Sequence, residues 1–301
     1  MKNYDGSLGK FQYDESIWSV SESDDKSDVL KYIGSEKDGS KISIPDGITD
    51  LSSAFENTGI TSQPAIPDGV VKMDYTFYNC KDMTETSALP EGLESMNSCY
   101  AECKKIESTP YMPDSVKSAE FAFDGAENLR SITGYLPESL EKGTGMFSNC
   151  SKIESVPYLP DKLKHADSMF LNNESITDMP PIPDGCENLN YCFAGCKNLK
   201  SFTSIPETAS HEGVFDNCDF TEDYIKSHMN YDISDYEAEH YDDDVSVDNA
   251  DTDKQRFQTN TFVKSHSQVY KSAVNDDIKH RGNEFDIPVA SEDITGPEIN
   301  H

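Results

Sequence analysis

The chain has 301 residues, 56 of them acidic against 25 basic, for a formal net charge of −31. Such an imbalance repels nucleic-acid phosphate and anionic membrane surfaces at long range, so it argues against direct contact with either and favours a basic protein partner. The opening residues, from Met1-Lys2-Asn3-Tyr4 onward, hold no apolar run of signal-peptide length, and no stretch is apolar enough to span a bilayer. The expected compartment is therefore the cytoplasm.

Taken in chain order, residues 1–43 read as a non-repeating N-terminal cap. Phe11-Gln12-Tyr13 and Ile17-Trp18-Ser19-Val20 alternate apolar and polar residues across an acidic turn, the pattern of a hairpin. Val29-Leu30-Lys31-Tyr32-Ile33 and Lys41-Ile42-Ser43-Ile44 add two more strand-like runs. A stacked array would expose a raw apolar face on its first unit, and this segment, which holds the single tryptophan Trp18, is placed to cover it.

From residue 44 to residue 218 one pattern recurs eight times. Its aromatic column falls at Phe55, Phe77, Tyr100, Phe123, Phe147, Phe170, Phe193 and Phe215, in steps of 22 to 24 residues. Its proline column falls at Pro45, Pro67, Pro90, Pro113, Pro137, Pro160, Pro183 and Pro206. A constant period of this size means a solenoid, because each unit covers its apolar face only by stacking on its neighbours. The expected architecture is a repeat solenoid of mixed α/β character with one short parallel strand per unit. That strand is expected after the small turn residue, as in Ile106-Glu107-Ser108-Thr109, with Ser62, Glu85, Ser108, Ser131, Ser155, Asp178 and Ser201 forming an outward ladder.

Five of the eight cysteines (Cys80, Cys103, Cys150, Cys196 and Cys218) share one repeat column with Thr58, Ala126 and Asn173. A column that accepts threonine, alanine or asparagine wants a small side chain, so these are expected to be reduced, buried thiols.

The unit Cys196-x-x-Leu199-x-x-Phe202-x-x-Ile205-Pro206, followed by an apolar pair, an aromatic and another cysteine, resembles the BspA-like leucine-rich repeats of bacterial proteins. The resemblance covers residues 44–218. It implies a right-handed leucine-rich-repeat coil and a non-enzymatic binding role, which in exported members would be adhesion at a surface.

After the array, Thr221-Glu222-Asp223-Tyr224-Ile225-Lys226 reads as an N-capped helix closing the coil over residues 219–229. Residues 230–253 contain Asp242-Asp243-Asp244 and neither lysine nor arginine. Residues 230–301 are accordingly expected to be an acidic, largely disordered tail, with loose helical spacing around residues 265–279.

Three constellations bear on function. Each column proline precedes an acid: Asp46, Asp68, Glu91, Asp114, Glu138, Asp161, Asp184 and Glu207. These acids suit a turn, and they also stack into an edge of carboxylates that would attract a basic protein. Three consecutive units place a tyrosine two residues before that proline, Tyr111, Tyr135 and Tyr158, either as an aromatic ladder that stabilises the coil edge or as a contact patch. Cys99 with Cys103 and Cys192 with Cys196 have zinc-like spacing, yet the pairs lie four coils apart and lack histidine partners, so packing is expected rather than metal. The Asp251-Thr252-Asp253-Lys254 run lacks the rest of a calcium loop.

The seven histidines are scattered and no catalytic motif is present, so neither enzyme chemistry nor a cofactor is expected. The function that follows is a non-enzymatic protein-interaction scaffold. Its rivals are an exported surface adhesin and a nucleic-acid mimic occupying a basic DNA-binding protein.

Overall fold

A computed structural model describes residues 1–22, 28–202, 204–220 and Tyr224. Its centre is the aromatic column. All eight column rings are buried, seven of them, from Phe55 to Phe193, stacked at centroid spacings of 5.3 to 5.7 Å, with Phe215 following at 6.5 Å. Around them one continuous core takes in Val70, Met73, Met83, Leu93, Ile106, Leu129, Leu140, Ile153, Leu163, Ile176 and Leu189. Each fully buried side chain of this size contributes roughly 1.5–3 kcal/mol of transfer free energy, so the column and its flanks supply most of what opposes chain entropy.

The backbone wraps each ring in a double set of hydrogen bonds. Around Phe77, the N–H groups of Met73, Tyr75, Phe77 and Asn79 donate to Ser95, Asn97, Cys99 and Ala101 in the following coil. The intervening N–H groups of Thr76, Tyr78 and Cys80 donate back to Met73, Tyr75 and Phe77 within their own coil. This alternation needs a left-handed residue two before and two after every column ring. The preceding sites are Ser53, Tyr75, Ser98, Phe121, Gly145, Ser168, Tyr191 and Gly213, and the following ones include Asn57, Asn79, Asn149, Asn172 and Asn217. Asparagine and glycine tolerate that region best, which is the physical reason for the recurring Phe-x-Asn-Cys wording. Where Phe121 and Tyr191 occupy the strained site, their rings lie over Gly145 and Gly213 of the next coil, where an added Cβ would sit 2.3 Å from the ring.

The cysteine column does more than stay small. Cys80, Cys103, Cys150, Cys196 and Cys218 each aim Sγ at the carbonyl of the column aromatic one coil back, at 3.0 to 3.3 Å, and Asn173 donates to Phe147 O in the same way at 2.8 Å. All eight cysteines are free thiols. Burial pushes Cys80 up to about 11 and Cys218 up to about 12, and holds Cys99, Cys103, Cys150, Cys192 and Cys196 well above the usual thiol value.

Four expectations are corrected. Among the described residues the one helix with assigned bounds is the 3-10 turn Gly39–Lys41, so the coils are built of turns and bridges instead of mixed α/β units. Two left-handed residues per coil interrupt any right-handed run long enough to make a helix. The ladder that runs without a break also lies before the aromatic. Parallel bridges link Asp50, Lys72, Ser95, Ser118, Lys142, His165, Asn188 and Ser210 in seven consecutive steps, whereas the expected Ser62-to-Ser201 ladder bridges at Ser62–Glu85, Ser108–Ser131 and Asp178–Ser201.

Finally, the N-terminal segment forms two hairpins. β1 (Lys2–Gly6) pairs antiparallel with β2 (Gly9–Tyr13), and β3 (Trp18–Glu22) with β4 (Asp28–Tyr32). The acidic turn that was expected to join β2 to β3 as a hairpin instead passes the chain between two sheets. There Ile17 N and Trp18 N donate to Asp14 O, and the Asp14 carboxylate accepts from Ser16. The run 41–44 is no strand either: it begins inside the 3-10 turn, which Asp38 caps by accepting from Ser40 N.

Trp18 meets Phe55 edge-on at 5.3 Å, and Tyr32 N donates to Ala54 O of the first coil. At the other end Phe202, Phe220 and Tyr224 gather against one another and Phe215. The closing helix expected over 219–229 falls, apart from Asp219, Phe220 and Tyr224, outside the described residues, as does the tail of residues 230–301.

Candidate interaction surface

Each column proline opens a turn. In the seven turns from Pro67 to Pro206 its carbonyl accepts from the N–H three residues on, as in Val70 to Pro67, Val116 to Pro113, Leu163 to Pro160 and Cys186 to Pro183. The acid is then the second residue of the turn, where the side chain points away from the closing hydrogen bond. All eight acids are exposed.

Like Glu107 and Glu154 on the same array, these acids have no counter-charge beside them among the described residues. Elsewhere on the array lysines reach across coils to carboxylates: Lys104 to Glu127, Lys105 to Asp82, Lys117 to Glu94, Lys164 to Glu141 and Lys197 to Glu174. Among the described residues none of the eight turn acids takes part in an ion pair; Asp114 accepts from Glu138 N at 3.3 Å and Asp161 from the Tyr158 hydroxyl at 2.8 Å. Exposed pairs contribute only about 0.2–1 kcal/mol each, so their importance here lies in where charge is cancelled and where it is left standing.

The three tyrosines border this edge. Tyr111 is 48% exposed, Tyr135 76% and Tyr158 56%, while their chain neighbours Met112, Leu136 and Leu159 are buried. Among the described residues no ring pair joins the three, which argues against a self-stabilising aromatic ladder. Prolines fix two of them: Tyr111 lies between Pro110 and Pro113, and Tyr158 between Pro157 and Pro160. Tyr111 also rests on the next coil at Gly134, whose φ is +76° and where an added Cβ would stand 3.2 Å from the ring. The Asp161 carboxylate, through its hydrogen bond and its charge, raises the pKa of the Tyr158 hydroxyl.

A second polar face was not anticipated from the sequence. The Asp74 carboxylate accepts from Ser95 Oγ and Asn97 N, Asn97 Oδ1 in turn from Ser118 Oγ and Glu120 N, and Asn190 Oδ1 from Ser210 Oγ and Glu212 N. Applying the repeat period to the residues three and five before each ring would have found it. On this face the polar groups satisfy one another's hydrogen bonds across coils.

The zinc-spaced cysteines stay in the interior, with Cys103 and Cys196 aimed at backbone carbonyls. Among the described residues no group of three or more histidine, cysteine or acidic side chains is placed to hold a metal, and no helix is long and apolar enough to cross a membrane.

The sequence matches the BspA type leucine rich repeat region, in six copies, over residues 11–130 and 119–236. The chain belongs to the BspA-type leucine-rich repeat family. No curated protein matches it. Among solved structures this BspA-type repeat chain is similar to the Treponema pallidum leucine rich repeat protein, with 19% identity, a TM-score of 0.44, and coverage of 72% of this chain and 94% of the other. It is also similar to a leucine-rich repeat protein from Bacteroides ovatus, with 17% identity, a TM-score of 0.42, and coverage of 70% of this chain and 62% of the other. The BspA-type period thus accounts for the stacked column, while the tyrosine row and the unpaired turn acids are features read from this chain itself.

Proposed function

We propose that this BspA-type repeat protein is a non-enzymatic interaction module that engages a basic protein along the Pro-acid edge and the tyrosine row. The observation that carries the proposal is the coincidence of three exposed tyrosines, two of them held between prolines, with eight carboxylates that no lysine pairs with among the described residues. Aromatic rings bring contact area at small entropic cost, and uncancelled charge steers a cationic partner toward them. Residues 1–43 serve in this proposal as the cap that keeps the first coil from pairing with other chains.

Charge density favours a protein partner over mimicry of a nucleic acid. One carboxylate per coil is one charge per about 4.8 Å, whereas duplex DNA carries one per about 1.7 Å of axis, nearly three times as many.

The test is capture of partners from native cells by the full chain and by the variant Tyr111→Ala with Tyr135→Ala and Tyr158→Ala, each at low and high salt. Partners that bind the full chain, weaken with salt and are lost from the triple variant support the proposal. Partners retained undiminished by the triple variant would move the binding surface elsewhere, and competition by duplex DNA would favour mimicry.

A further inference from the structure

We infer that the tyrosine row is a reader of a basic polyproline-II segment, one that carries lysine or arginine at every third residue; the inference rests on the interaction reading above and names the ligand's form. Three observations converge on it. Each tyrosine stands three residues before a turn acid, in Tyr111-Met112-Pro113-Asp114, Tyr135-Leu136-Pro137-Glu138 and Tyr158-Leu159-Pro160-Asp161. In the third unit the tyrosine hydroxyl touches its own acid at 2.8 Å, so ring and carboxylate form one site. A ring face with a carboxylate beside it suits a cationic side chain, which takes a cation–π contact from the ring and a charge-assisted hydrogen bond from the acid.

Spacing then selects the conformation. Coils joined by consecutive parallel bridges repeat at about 4.8 Å, so Tyr111 and Tyr158, at the same repeat position two coils apart, stand about 9.6 Å from each other. One turn of polyproline II advances three residues at about 3.1 Å each, or about 9.3 Å, which matches that interval. Alternate residues of an extended strand advance only about 6.6–6.8 Å, which falls between one coil and two. Residues i and i+3 of the ligand therefore sit on Tyr111 and Tyr158, and the prolines between them pass over Tyr135, the most exposed of the three rings. Preformed polyproline II also loses little entropy on docking against aromatic rings.

The experiment is a fluorescence-anisotropy titration of the full chain with a labelled peptide of three Pro-Pro-Arg repeats, alongside an isomer with its three arginines in one block, which has no arginines at i and i+3. The repeating peptide seats two arginines where the block isomer seats one, so it is expected to bind about four-fold tighter, the worth of one exposed cation–π contact. The pair Tyr111→Ala with Tyr158→Ala, checked for an unchanged melting temperature, should bring both peptides to the same affinity. The pair Tyr111→Phe with Tyr158→Phe, which keeps the rings, should retain the preference. Replacing Asp114 and Asp161 by asparagine should weaken both peptides and flatten their salt dependence.

Isomers that bind within about two-fold of each other, or a spacing preference that survives the alanine pair, would overturn the inference. Loss of the preference in the phenylalanine pair would do the same. Cellular partners still captured by the full chain and lost from the triple alanine variant would, in that event, leave the interaction module standing and reject only the ligand's form.

Discussion

Two rows of aromatic rings run along this molecule with the same period, and they differ in everything that follows from burial. The inner row, from Phe55 to Phe215, stacks ring on ring, and its members are never more than 7% exposed. The outer row, Tyr111, Tyr135 and Tyr158, stands 48 to 76% exposed and makes no ring pairs within itself among the described residues. Translation by one coil creates both rows, so periodicity alone says nothing about role. The side of the backbone on which a ring lies decides whether it is packed into the coil or stands in solvent.

The sharpest way to break this comparison is to truncate one member of the inner row. Phe147→Ala, between Phe123 and Phe170, should cost about 3–5 kcal/mol in urea unfolding and make the transition less cooperative, since stacking carries stability from coil to coil. A loss below about 1 kcal/mol would mean the inner row is not what binds the units together.

The buried thiols beside that row offer a second test, through pH. Burial raises the folded value of Cys80 to about 11 and that of Cys218 to about 12, while an unfolded thiol ionises near about 8.5. The folded state therefore holds more protons between these values. The thiol contribution to stability is complete below about pH 8.5 and declines as pH rises toward 11. A urea midpoint that drops from pH 8 to pH 10 bears this out, and one that stays level would count against buried, protonated thiols.

A smaller effect sharpens the role of the same column. Cys103→Ala removes the contact from Sγ to Phe77 O but copies Ala126, which already fills the equivalent site, so a loss of about 1 kcal/mol is expected from chemical denaturation. The smallest change in stability belongs to the outer row. Each of Tyr111→Ala, Tyr135→Ala and Tyr158→Ala should shift unfolding by no more than about 0.5 kcal/mol. A loss near that of Phe147→Ala would place these rings among the coil's structural supports.

How much of this was legible beforehand follows from what repetition records. The aromatic, proline and cysteine columns stand in the sequence because stacked coils demand like residues at like positions. The continuous bridge ladder was missed because each coil contributes a single bridged residue, and Asp50, Lys72, Ser95 and His165 share no residue type. The left-handed sites before each ring were hidden for a similar reason. Ser53, Tyr75, Phe121 and Gly145 look unrelated until backbone angles show that they do the same thing. In the first hairpins, the alternation of Phe11-Gln12-Tyr13 marked a strand correctly, but the choice of partner belonged to the tight Gly6–Gly9 connection and not to the acidic turn.

For the candidate surface, sequence order picked out the turn acids and the tyrosine row and could not say which charges were cancelled. Lys117 and Glu94 are 23 residues apart in the chain and adjacent in space. The array's existence, its period and the identity of its spine were determined by the sequence alone, because burying one apolar face per unit admits few solutions other than stacking. Which acids keep their charge, and which aromatics reach solvent, was decided only when the coils closed on one another. Ion pairing and exposure depend on distances across coils, and those distances do not exist until the chain has folded.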